Sequence, residues 1–68
     1  MFIAYHVDDE GGIPVATGTT RTEAQSAAIV RILSRNITHG GIGVQESKLA
    51  PEEFEQLTRS LDEFFAKH

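Results

Sequence analysis

Residues Thr20–Ile37 read TRTEAQSAAIVRILSRNI and decide the fold, because this segment combines a helix start signal, a long apolar periodicity and a stop signal. Thr20 followed by Glu23 has the form of a capping box, so a helix is predicted to begin at Thr20. At about 100° per residue its aliphatic side chains fall in one arc, which predicts a face packed on a sheet. That arc contains Ile29, Val30, Ile32, Leu33 and Ile37.

Two strand-like runs precede this helix. Phe2–Val7 is rich in aromatic and β-branched residues, which suits a central strand. The turn-forming residues Asp8–Gly12 connect it to Ile13–Thr19, so the two runs are predicted to form a β-hairpin. Pro14 has no N–H for a strand ladder, which places the second strand at an edge of the sheet.

A third strand and a second helix complete the chain. Gly40 and Gly41 are predicted to close the first helix, and Ile42–Glu46 follows as a short strand antiparallel to the first, in spatial order 2-1-3. Pro51 suits the first position of an acidic, amphipathic second helix that runs almost to the C-terminus. The sequence thus predicts an α+β fold: one domain over 1–68, a two-layer ββαβα arrangement with both helices on one face of a three-stranded antiparallel sheet.

The sheet face away from the helices is the predicted partner interface. We expect Ile3, Tyr5 and Val7 to lie under the helices, although a shift of one residue in register would exchange the two faces of the first strand. The opposite face then has no cover, and a patch of alanines on the first helix adds a flat surface. The predicted interface comprises Phe2, Ala4, His6, Ala16, Gln45, Ala24 and Ala28.

Composition restricts the classes of function. Ten acidic and six basic residues give a formal charge of −4, which opposes binding to a nucleic acid. The longest apolar run is far shorter than the ~20 residues that span a bilayer, so we expect a cytoplasmic protein that does not enter a membrane. A chain of 68 residues without cysteine has a small core and no disulfide, which favours self-association.

No pattern in the sequence predicts catalysis or a bound cofactor. The candidate metal ligands are His6, His39 and His68 with the acidic residues Asp8–Glu10, and none has the spacing of a known metal motif. The run Gly40–Gly43 follows a helix, whereas a phosphate-binding loop opens one. We therefore expect that the protein is not an enzyme and holds no metal or cofactor.

The junction between the second strand and the helix, Gly18–Ala24, reads GTTRTEA. It resembles the junction in HicB-type antitoxins with a partial RNase fold and in the arm-binding domains of phage integrases. The first family implies another strand before the helix and the second implies a basic domain. This sequence shows neither feature, so no functional residue is carried over.

The leading hypothesis is a non-catalytic protein-interaction or regulatory module, of the kind found among small bacterial or phage accessory proteins. It would form a homodimer or bind another protein through the open sheet face or the acidic second helix. The acidic surface comprises Glu52, Glu55, Asp62 and Glu63. An alternative is a regulator that binds nucleic acid through Arg21, Arg31 and Arg35 or mimics it through the acidic surface, and a third is a domain that binds a small molecule or metal.

Overall fold

The computed structural model describes residues 1–67 and has the predicted element order and sheet topology. The sheet has the spatial order β2-β1-β3, and both pairs of neighbouring strands are antiparallel. The elements are β1 (Phe2–Asp8), β2 (Gly11–Gly18), α1 (Arg21–Ser34), β3 (Gly41–Glu46) and α2 (Pro51–Ala66). The prediction of an α+β chain with order 2-1-3 is therefore confirmed.

A tight turn and a bulge shape the hairpin of β1 and β2. The Asp8 carboxylate accepts a hydrogen bond of 2.8 Å from the Glu10 N–H, and Gly11 follows with φ of 124°, which favours glycine. Ala4 pairs with Ala16 and the next residue of β1 pairs with Pro14, so Val15 is the extra residue of a β-bulge. The bulge lets Val15 and Ala16 both join the main core.

Pro14 lies on an edge strand, as predicted. The Ser47 N–H donates a hydrogen bond to the Met1 carbonyl at the end of the pairing between β1 and β3. Because backbone hydrogen bonds alternate along an antiparallel strand, the odd-numbered residues of β1 form their hydrogen bonds with β3 and the even-numbered residues with β2. Pro14 pairs with the odd-numbered Tyr5, so its nitrogen faces the free edge and the ladder loses no hydrogen bond.

Two capping motifs define the ends of α1. The Thr20 hydroxyl accepts from the Glu23 N–H at 3.1 Å, but the Glu23 carboxylate reaches back to Thr19 rather than to Thr20. At the other end Asn36 has φ of 58°, and the N–H groups of Asn36 and Ile37 donate to the two carbonyls that close a Schellman motif. The predicted glycine stop at Gly40 and Gly41 is therefore wrong, because Asn36 already ends the helix.

The alanine side of α1 faces the sheet, which is the reverse of the predicted orientation. Ala24 and Ala28 are fully buried and join Ala4 and Ala16 of the strands in one core cluster. At Gly18 an added Cβ would lie 2.5 Å from the Ala24 nitrogen, so the helix approaches the strand too closely for a side chain there. Small residues on both elements permit this close packing, and of the predicted arc Ile32 alone is fully turned inward, at 8% exposure.

The two helices do not share one face of the sheet, so this part of the prediction is wrong. The hydroxyls of Thr17 and Thr58 lie 2.8 Å apart, and Thr58 donates to the Phe54 carbonyl. Thr17 pairs with Ile3, and both lie on the face opposite to Ala16. The first half of α2 therefore covers the Ile3 side, and its second half passes the β2 edge and reaches α1, where Phe65 packs against the main core.

Candidate interaction surface

Most of the predicted partner interface is buried inside the chain. The side chains of β1 that were expected to lie on an open face pack under α1 instead, because the even-numbered side of β1 faces that helix. Ala4, Ala16, Ala24 and Ala28 are fully buried and His6 is 6% exposed. Phe2 is half-buried, and the guanidinium carbon of Arg21 lies 5.2 Å from the centre of the Phe2 ring. The prediction that these residues form an open surface is therefore wrong, and only Gln45 of the set is exposed, on the opposite face.

His6 is the one buried polar side chain among the described residues. Its Nε2 donates a hydrogen bond of 2.8 Å to the His39 carbonyl, and the two rings meet edge to face with centroids 5.4 Å apart. Gly40 lies directly against it: a Cβ there would be 2.8 Å from His6 Nε2. The contacts therefore fasten the loop before β3 to the centre of the sheet, which is a structural role.

The outward side of α1 carries a patch of aliphatic side chains. Ile29, Val30 and Leu33 are 40%, 66% and 65% exposed. With Ser26 they occupy positions i, i+3, i+4 and i+7, so the four residues adjoin one another on the helix surface. We call this set the α1 patch. A contiguous group of exposed aliphatic side chains marks an interaction site more often than single ones do.

A shallow depression continues the α1 patch toward β3. It has a volume of about 560 Å³ and shares Leu33 with the patch. Its other apolar walls come from Ile32, Ile37 and Ile42, and its polar groups include Gln25 and the two histidines. None of the lining residues is an aspartate, glutamate, lysine or arginine. The α1 patch and the depression together form a surface without acidic, lysine or arginine side chains.

The charged side chains of α1 are used inside the molecule. Arg21 donates to the Val44 carbonyl and Arg31 to the Val15 carbonyl, each at 2.8 Å. Arg35 lies over the rings of Phe64 and Phe65, with its guanidinium carbon 4.6 and 4.5 Å from the ring centres. The three arginines named for the nucleic-acid-binding alternative thus contact the two sheet edges and α2.

The acidic surface on α2 is partly engaged as well. Asp62 accepts from Arg31 at 2.5 Å, and Glu55 pairs with Arg59 at 3.2 Å within the helix. Glu52 and Glu63 are exposed. The four acidic residues therefore do not present four unpaired charges in one row.

The uncovered part of the sheet is narrower than predicted. It forms a trough of about 380 Å³ around Tyr5 and Val7, with glycines on both sides. An added Cβ at Gly12 or Gly43 would lie 3.5 Å from Val7, an ordinary contact, so packing does not require glycine at either position. The trough is open because its flanking residues have no side chains.

Residues 1–67 contain neither a metal-binding cluster nor a helix suited to a bilayer. No group of three or more histidine, cysteine, aspartate or glutamate side chains could hold a metal ion. His68, the third histidine considered as a ligand, lies outside the described residues. In the same part of the chain, neither helix has the length and apolar character needed to cross a bilayer.

Comparisons with protein-family models, with curated proteins and with solved structures found no significant match to this chain. The assignment of a function therefore depends on the surfaces described above. The α1 patch was missed from the sequence because its aliphatic side chains were assigned to the core. The signal that identifies it is the second set of small residues on the same helix, Ala24, Ala27 and Ala28, which also repeats at helical spacing.

Proposed function

We propose that this chain is a protein-interaction module that acts by binding rather than by catalysis, and that the α1 patch is its contact surface. The observation that carries the proposal is the exposure of Ile29, Val30 and Leu33 on one side of a well-capped helix. Burial of such side chains against a partner is favourable by roughly 25 cal/mol per Å² of apolar surface. The α1 patch offers this gain without removing any charge from water.

The arrangement of charges supports the same surface. The arginines of α1 contact strand carbonyls and α2, so the outward side of the helix is aliphatic and the inward borders are basic. A surface helix usually turns its large apolar side chains toward the core and its charged side chains toward water. The helix α1 shows the reverse. A rigid helix held at both ends also loses little conformational freedom on binding.

Site-specific photo-crosslinking tests the proposal. A benzophenone amino acid is placed at Val30 or Leu33, and at Glu52 as a matched exposed position on α2, in the cells that naturally produce the chain. We expect covalent protein adducts from the two α1 positions and none from Glu52. Adducts from Glu52 alone would assign the interaction to the acidic helix, and an absence of adducts at every position would contradict an interaction module.

A further inference from the structure

We infer that the α1 patch binds a second copy of this chain, with the two α1 helices antiparallel across a twofold axis. This inference rests on the proposed function and names the partner. In a twofold interface each residue group faces the same group of the other copy, so the surface must be complementary to itself. The evidence comes from the charge, the shape and the size of the surface.

The charge of the molecule restricts where two copies can meet. The chain has a formal charge of −4, so two copies repel each other unless they meet on a surface that lacks acidic side chains. The α1 patch and the adjoining depression contain no acidic, lysine or arginine side chain. Two acidic copies can therefore meet through this surface while their acidic α2 surfaces stay outside the contact.

The shape of the α1 patch is complementary to itself. In an antiparallel pair centred between Ile29 and Val30, these two residues face each other across the axis. The same alignment places the small Ser26 opposite the large Leu33 of the other copy, at both ends of the contact.

The size of the contact sets the expected strength of the dimer. α1 has 14 residues and so extends about 21 Å. One face of this 14-residue helix supplies fewer than the roughly 20–30 residues that each partner contributes to a standard specific interface. We therefore expect a weak dimer in rapid exchange with the monomer, which forms at high protein concentration.

Sedimentation equilibrium over a hundredfold concentration range tests the inference with purified protein. We expect the wild-type mass to rise from one chain to two, and Val30→Asp and Leu33→Asp to remain monomeric at every concentration. Ile13→Asp is the matched control, because Ile13 is 64% exposed on β2 and lies outside the α1 patch, so this variant should dimerise like wild type. Circular dichroism of each variant checks that it is folded.

A disulfide trap gives an independent readout. The chain has no cysteine, so Val30→Cys introduces a single thiol close to the twofold axis. Oxidation should link this variant as a dimer much faster than it links Ile13→Cys. Equal rates for the two variants, or a wild-type chain that is monomeric at all concentrations, would overturn the self-association. The proposed function would still stand if the crosslinked adducts at Val30 had the mass of a different partner.

Discussion

Two residues with positive φ determine how the chain passes from α1 to β3. Asn36 ends the helix, and Gly40 turns the chain over His6 with φ of 78°. Glycine at position 40 was expected from the sequence as a helix stop, and its observed role is a close approach to β1. Its position could not be derived from the sequence, since the approach depends on where the His6 ring lies in the folded chain.

Gly40→Ala should remove most of the stability of the fold. A Cβ at this position would lie 2.5 Å from the Val7 carbonyl oxygen, and the left-handed backbone is itself unfavourable for alanine. We expect a loss of about 3 kcal/mol in the free energy of unfolding, measured by urea denaturation. Gly41→Ala is the control: nothing lies within 4 Å of its added Cβ, so its unfolding curve should stay close to wild type.

Asn36 gives a pair of substitutions with opposite signs. Its φ of 58° is available to glycine without strain and is unfavourable for alanine. Asn36→Gly should raise the free energy of unfolding by about 0.5 kcal/mol, and Asn36→Ala should lower it by about 1 kcal/mol. Thermal unfolding of the two variants provides the comparison. A destabilised glycine variant would show that the Asn36 side chain, rather than its backbone, closes the helix.

At the scale of elements, α1 crosses the sheet and is fastened at both edges. Arg21 reaches the carbonyl of Val44 on β3, and Arg31 reaches the carbonyl of Val15 on β2. Arg31 also binds Asp62 and lies over the Phe65 ring at 4.9 Å, so it joins three elements. Because its planar guanidinium serves all three contacts, lysine would not replace it.

A double-mutant cycle on Arg31 and Asp62 separates these contacts. Arg31→Ala should lower the free energy of unfolding by about 2 kcal/mol, because it leaves the Val15 carbonyl and the Phe65 ring without their partner. The coupling energy between Arg31 and Asp62 should be less than about 1 kcal/mol, since Asp62 is largely exposed.

The exposed pair Glu55 and Arg59 provides the control for this cycle. Both side chains are in water and four residues apart on α2, so Arg59→Ala should change the free energy of unfolding by less than about 0.5 kcal/mol. Equal effects of Arg31→Ala and Arg59→Ala, measured by urea denaturation, would contradict the role of Arg31 as a link between elements.

The type of each element and the start of both helices could be predicted from local signals, but the end and the orientation of α1 could not. Thr20 and Pro51 mark both helix starts correctly. The hydrophobic periodicity of α1 has two candidate faces, one aliphatic and one of alanines, and burial alone favours the aliphatic face. The close contact with Gly18 and Ala4 selects the alanines, because larger side chains do not fit between helix and sheet.

At the scale of the whole molecule, the strand order follows from Pro14 and from the apolar character of β1, and both are visible in the sequence. The placement of α2 is not visible there. The apolar side chains of α2 pack partly on the Ile3 side of the sheet and partly against the main core. The periodicity of apolar residues in the sequence does not show that a helix crosses a sheet edge. The predicted interface failed for the same reason, since its residues were assigned from the assumed side of the helices.

Self-association predicts a thermal stability that depends on concentration. If the dimer forms only between folded chains, mass action raises the wild-type unfolding temperature as the protein is concentrated. Val30→Asp should abolish this dependence and leave the unfolding temperature of the dilute protein unchanged, because Val30 is mostly exposed in the single chain. Differential scanning calorimetry at low and high concentration measures both effects. A wild-type unfolding temperature that is independent of concentration would argue against the dimer.

The arginines at the two sheet edges also limit how copies can accumulate. An incoming strand would need the outward carbonyls of Val44 and Val15, which Arg21 and Arg31 already occupy, and Pro14 offers no N–H on the β2 side. Strand-by-strand growth into fibrils is therefore obstructed at either end. We therefore expect this small domain to remain free of fibrils when it is concentrated, because an assembly through α1 closes at two copies.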